Sequence, residues 1–177
     1  MKFSDMKPET QTATRKKRPK FSLAIKDEPM AELVKKTDKK TLAVWAIDCV
    51  ERVLPYFEEE HPKDDRPRKA IEALRKWIRT GIFKMADVRK AALDAHAAAR
   101  EVGEDNAARS AARAAGQAMA TAHVSTHSIA AANYSLQAIY RATKSSDAEA
   151  AIVKERAWQF QRLFGLREKM AHRNKMG

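Results

Sequence analysis

Histidine, arginine and glutamine recur at helical spacing through the middle of this chain. Arg109, Arg113, Gly116, Ala120, His123 and His127 follow one another in steps of 4, 3, 4, 3 and 4. On one continuous helix all six share a face. Gly116 leaves room above the backbone at the centre of that face, and Gln117 stands beside it. His96 falls on a second stripe with Met85, Val88, Ala92 and Ala99, an apolar side that points inward. Nearer the start, Asp48, Glu51 and Arg52 occupy the side of a helix opposite Trp45 and Cys49. A buried charge is tolerated only when it is paired. Asp48 and Glu51 are therefore the carboxylates expected for Arg113 or Arg66.

Such a set can do several kinds of chemistry. Its plainest use is an ionic and hydrogen-bonded seam that ties helices together. A second use is a recognition pocket for an acidic group or a small ligand. His123 and His127, four residues apart, could occupy two positions on a metal, with His96 or a carboxylate as the third ligand. No Glu follows His123, so the zinc-protease helix signature is missing and no metal or other cofactor is assigned. His96 with Asp48 offers acid–base chemistry. The chain nevertheless carries no nucleophile elbow, Gly-rich phosphate loop or Cys-x-x-Cys, and no catalytic residue is assigned. Cys49, on the apolar side of its helix, reads as an inert buried thiol.

The elements that must position these residues are helices. From Asp38, the residues Leu42, Trp45, Ala46, Cys49, Val53, Tyr56 and Phe57 recur at three- and four-residue steps, with Pro55 set to kink that helix or end it early. Asp65-Arg66-Pro67 starts a second helix that Gly81 ends. A third spans Ala86 to Val102, closed by Gly103, and Asp105 or Asn106 caps a fourth that runs to about His123. A fifth carries Ile129, Leu136 and Tyr140, and a sixth follows the Ser145-Ser146-Asp147 turn. No useful length alternates with period two. The expectation is an all-α, single-domain antiparallel bundle of about six helices. Residues 1–36 read as a flexible basic arm, 37–168 as the helical domain and 169–177 as a frayed basic tail. Small residues cover the helix faces from Ala86 to Ala151, so axes can approach closely, and Trp45, Phe57, Trp77, Tyr140, Trp158 and Phe160 must fill the remaining volume. An alanine face could also meet a second copy of the chain as a homodimer.

Composition narrows the partners. The chain of 177 residues carries a formal charge of +12. Residues 1–40 hold twelve Lys/Arg against six Asp/Glu, a net of +6, densest at Arg15, Lys16, Lys17, Arg18 and Lys20. A run of this kind attracts polyanions or an acidic protein. No aromatic side chains interleave with it to stack on bases, so a solvated arm is expected in preference to nucleic-acid binding. The longest uncharged stretch, Ala114 to Tyr140, is too polar for a bilayer span. The polar, basic start is unlike a signal peptide, and the single cysteine excludes an intrachain disulfide. A cytoplasmic protein without membrane contact is expected.

Several strings together carry a resemblance. Leu42-Ala43-Val44-Trp45-Ala46-Ile47-Asp48-Cys49-Val50-Glu51-Arg52-Val53-Leu54-Pro55 is followed by Asp65-Arg66-Pro67-Arg68-Lys69-Ala70-Ile71-Glu72-Ala73. Then come Ala95-His96-Ala97-Ala98-Ala99-Arg100, Ala111-Ala112-Arg113-Ala114-Ala115-Gly116-Gln117-Ala118, and Ala122-His123-Val124 with His127. The ordered set resembles the immunity proteins related to the fifth immunity class of bacterial polymorphic toxin systems, over roughly residues 40–143. The resemblance implies an all-helical domain that binds and neutralises a toxin as a stoichiometric partner. It adds Arg68 to the candidate site, which becomes Asp48, Glu51, Arg66, Arg68, His96, Arg113, Gln117, His123 and His127.

Overall fold

The computed structural model describes residues 21–22 and 27–176, without the side chains of 173–176. The basic run Arg15 to Lys20 lies outside the described residues. Among them the chain forms α1 (Glu28–Lys35), α2 (Lys39–Glu51), α3 (Leu54–Glu60), α4 (Arg66–Thr80), α5 (Met85–Glu101), α6 (Ala107–Ala120), α7 (His127–Ala142) and α8 (Ala148–Met176), and no strand. The all-helical expectation holds, with eight helices where about six were counted.

The differences have local causes. The helix α1 lies inside the segment read as an arm. Asp27 Oδ1 accepts from Met30 N at 3.0 Å, and Met30, Leu33 and Val34 pack against Leu42, Trp45, Cys49, Ala132 and Leu163. Eight residues are too few to show a helical period in the sequence. Pro55 cannot donate back along the helix, so the chain tightens at Arg52 and Val53, and α3 restarts with the proline in its first turn. Asp65 precedes α4, yet it is the Asp64 carboxylate that accepts from Arg66 N, at 3.2 Å. Gly81 and Gly103, both at φ 69°, follow α4 and α5 in the left-handed conformation that suits glycine. Asn106 caps α6 by accepting from Arg109 N at 2.9 Å. At the other end of the chain Gly165 does not stop α8, which continues to Met176 through the residues read as a frayed tail.

The expected continuous helix through His123 ends at Ala120 instead. Thr121, Ala122 and His123 donate to carbonyls three residues back, a tighter winding that turns the chain before α7 begins at His127. Helix α6 is the centre of the fold, packed by α2, α3, α4, α5 and α7. Ala108, Ala111, Ala112, Ala114, Ala115 and Ala118 are all fully buried inside the chain. The alanine faces of α6 are therefore used within one molecule and are not offered to a second copy. Within Ala107–Ala120 only Arg109, Arg113, Gln117 and Ala120 are not buried. They form a single open stripe between α5 and α7.

Candidate functional site

The site grows from that stripe. Because Gly116 has no side chain, the His96 imidazole of α5 lies directly on the α6 backbone. A Cβ at position 116 would stand 2.7–2.9 Å from three of the ring atoms, well inside ordinary contact. His96 Nδ1 is buried there without a hydrogen-bond partner. Burial, reinforced by repulsion from Arg113, Arg100 and His127, holds this imidazole down at about 4. It is neutral at physiological pH.

One position on, Gln117 ties α6 to α7, its Oε1 lying 2.7 Å from His127 Nδ1. With the amide in this orientation His127 carries its proton on Nδ1 and donates to Gln117. Burial and the neighbouring His123 also lower the His127 imidazole. Arg113, half-buried one turn before Gly116, makes no hydrogen bond or ion pair with any described residue. His96, Arg113, Gln117 and His127, with Arg100 from α5, thus meet over Gly116. No carboxylate figures among the charges that act on His96 or His127.

His123 belongs to this neighbourhood only loosely. It sits exposed in the turn after α6, where its carbonyl accepts from Lys39 Nζ at 3.1 Å. The metal trio His96, His123 and His127 is not gathered, and among the described residues no three His, Cys, Asp or Glu side chains are arranged to hold a metal ion. The helix break after Ala120 removes the register on which that trio depended.

The remaining candidates lie in other places. Asp48 accepts from Arg162 Nε of α8 at 2.8 Å and pairs with neither Arg113 nor Arg66. Glu51 accepts from Arg68 at 2.7 and 2.9 Å and from Arg75 at 2.9 Å, and Arg68 also donates to Glu58. Although burial works against its charge, the two arginines hold the Glu51 carboxyl below its ordinary value. Arg66 clasps Asp64 at 2.8 Å and Glu101, fastening the start of α4 to the end of α5. The predicted set therefore divides into a cationic cluster on α5, α6 and α7 and a group of interhelical ion pairs on α2, α4 and α8.

Sequence reasoning missed Arg100, Arg162, Arg75, Glu58, Glu101 and Glu155. The Arg52–Glu155 pair is the most buried of these contacts. Arg52 makes three hydrogen bonds to Glu155 at 2.8–3.0 Å, with the carboxylate side chain 4% exposed, and its guanidinium lies 4.1 Å from the Trp158 ring centroid. Arg100 had a signal, since it stands four residues after His96 on the same helix. The partners on α8 had none, being more than a hundred positions away. Cys49 is fully buried and its thiol is pushed well above the ordinary value by burial, which fits the inert role expected of it. A separate apolar groove of about 750 Å³ runs between α2, α4 and the last turns of α8, past Val44, Ile78, Leu166 and Met170. None of the predicted site residues lines it.

No helix among the described residues is long and apolar enough to cross a membrane. No curated protein and no solved structure matches the chain. A family model described as Imm-5 like putative immunity protein does match, over residues 32–165, and the chain belongs to that family.

Proposed function

We propose that this protein works by binding, recognising a toxin or similar protein partner and neutralising it as a stoichiometric complex without turnover. Membership of an immunity-protein family supports the reading, and one observation at the site carries it. The carboxylates that acid–base chemistry would need are held by arginines elsewhere, while His96, Arg113, Gln117 and His127 stay together without one. His96 and Asp48 would have to touch to act as an acid–base pair, and Asp48 is bound to Arg162 instead. Cations beside neutral imidazoles suit recognition of an anionic surface better than proton transfer. The net charge of +12 acts in the same direction, steering an acidic partner toward the protein. The protein performs this role in the cytoplasm.

The test begins with the genes flanking this one. A toxin encoded beside it should kill a susceptible host, co-expression of this chain should restore growth, and the purified pair should co-elute at 1:1. Continued killing in the presence of abundant folded protein overturns the proposal. Rescue at amounts far below the toxin would also overturn it, because it would indicate turnover.

A further inference from the structure

The cluster over Gly116 has the chemistry of a receptor for one particular group. Arg113 presents a planar guanidinium with no internal partner, one turn from the point where the His96 ring meets the α6 backbone. A guanidinium fork matches the two oxygens of a carboxylate in plane and spacing. Arg100 adds a second cation from α5. His96 Nδ1 is a buried polar atom still lacking a partner, and His127 is already oriented by its bond to Gln117. Elsewhere in the described chain, Arg52, Arg66, Arg68, Arg75 and Arg162 all grip a carboxylate of the protein itself. In the cluster on α5, α6 and α7, Arg113 and Arg100 have no such acid among the described residues.

We infer that the cluster of His96, Arg100, Arg113 and His127 around Gly116 is a carboxylate-binding site, filled by an Asp or Glu side chain of the protein partner. The source of the carboxylate rests on the proposed toxin-binding role; the site itself does not. Arg113 is the half-buried cation of the cluster while Arg100 is exposed to water, and both imidazoles are neutral near pH 7, so a monoanion balances Arg113 where a phosphate dianion would leave a charge over.

Imidazole NMR on the whole protein tests the site without any toxin. The His96 signals are assigned by their loss in His96→Gln. Sodium acetate, chloride and phosphate are then titrated at constant ionic strength. Acetate should move the His96 and His127 signals along a saturating curve in the millimolar range, and chloride should not. The Arg113→Gln variant, folded by circular dichroism, should lose the saturating shift, and Gly116→Ala should weaken it by displacing His96. No saturation with acetate, saturation unchanged in Arg113→Gln, or stronger saturation with phosphate than with acetate overturns the assignment. The source of the group is read in the rescue assay. Loss of rescue by folded Arg113→Gln identifies a side chain of the partner, and full rescue with the acetate response abolished overturns that part in favour of a free carboxylate. If the wild type fails to rescue while acetate still saturates, the toxin-binding role falls and the anion site stands.

Discussion

The approach of His96 to Gly116 makes a prediction whose sign depends on a second residue. Replacing a mid-helix glycine by alanine ordinarily stabilises a helix by about 1 kcal/mol, because the glycine loses more backbone entropy on folding. At position 116 the new Cβ would lie 2.7–2.9 Å from Cε1, Nε2 and Nδ1 of His96, close to 1 Å inside normal contact. Overpacking of this kind costs about 1–3 kcal/mol. The two effects oppose each other, so Gly116→Ala should range from neutral to about 2 kcal/mol destabilising. In a His96→Ala background the collision disappears, and the same change should stabilise by about 1 kcal/mol. Four proteins, unfolded in urea, close the double-mutant cycle with an expected coupling of about 1–3 kcal/mol. At about 2–4 °C per kcal/mol for a protein of this size, thermal melts should resolve it as well. A second readout is available, since a ring displaced toward water should titrate above its present value of about 4. If Gly116→Ala stabilises both backgrounds equally, within the roughly 0.5 kcal/mol scatter of additive sites, the ring does not rest on the α6 backbone and the cluster is wrongly drawn.

His96 also predicts an acid dependence. Its folded value is about 4 against 6.5 for an unperturbed imidazole, so between those pH values the unfolded chain binds a proton that the folded chain refuses. The stability that depends on neutral His96 is thus complete above pH 6.5 and is lost as the pH falls toward 4. Full conversion of the shift gives at most about 3 kcal/mol, and less for a partly exposed ring. Urea titrations at pH 6.5 and 4.5 should show a smaller difference for His96→Gln than for the wild type. The reverse order would refute the assignment. Arg52→Met should cost about 3 kcal/mol, since it strands the Glu155 carboxylate, which is only 4% exposed. Pairing it with Glu155→Gln should recover most of that loss in the same urea assay. Trp45→Phe should cost about 2 kcal/mol in urea unfolding, because Trp45 Nε1–H donates to the Gln159 carbonyl at 2.9 Å in the fully buried interior. A cost near zero would mean that water reaches that carbonyl.

How much of this was legible in the sequence follows from the range of the interactions. Helix ends governed by one residue were readable: Gly81, Gly103 and the Asn106 cap fall where expected. The helix α1 was not, because Met30, Leu33 and Val34 span too short a stretch to establish a period, and its formation depends on Trp45, Cys49 and Leu163 arriving from elsewhere. The stripe Arg109, Arg113, Gly116 and Ala120 holds within α6, and its continuation to His123 fails at the tighter winding that follows Ala120. His127 still reaches the site, through Gln117 and a different helix. The pairing of Asp48 and Glu51 was misread for a plainer reason. Periodicity says which side of a helix a charge occupies, and it cannot say which of many arginines will stand opposite. Arg162, 114 positions from Asp48, is chosen by how α8 packs on α2.

The alanine content that leaves the sequence poor in motifs is also what brings this cluster together. With small side chains at every buried position but Met119, α6 can sit among five other helices, and its one open stripe is narrow enough for α5 and α7 to reach across. Glycine at 116 takes the reduction one step further and brings an imidazole from the neighbouring helix onto the backbone itself. Leucine on those faces would move the helix axes apart, and His96, Arg113 and His127 would face solvent separately. The polar groups are consequently set by the packing of three helices, with only His123 contributed by a turn. A partner meeting them has few loops to order, so little binding energy is spent on preorganisation. On this account substitutions that enlarge the alanines around Gly116 should weaken partner binding without touching any residue that contacts the partner.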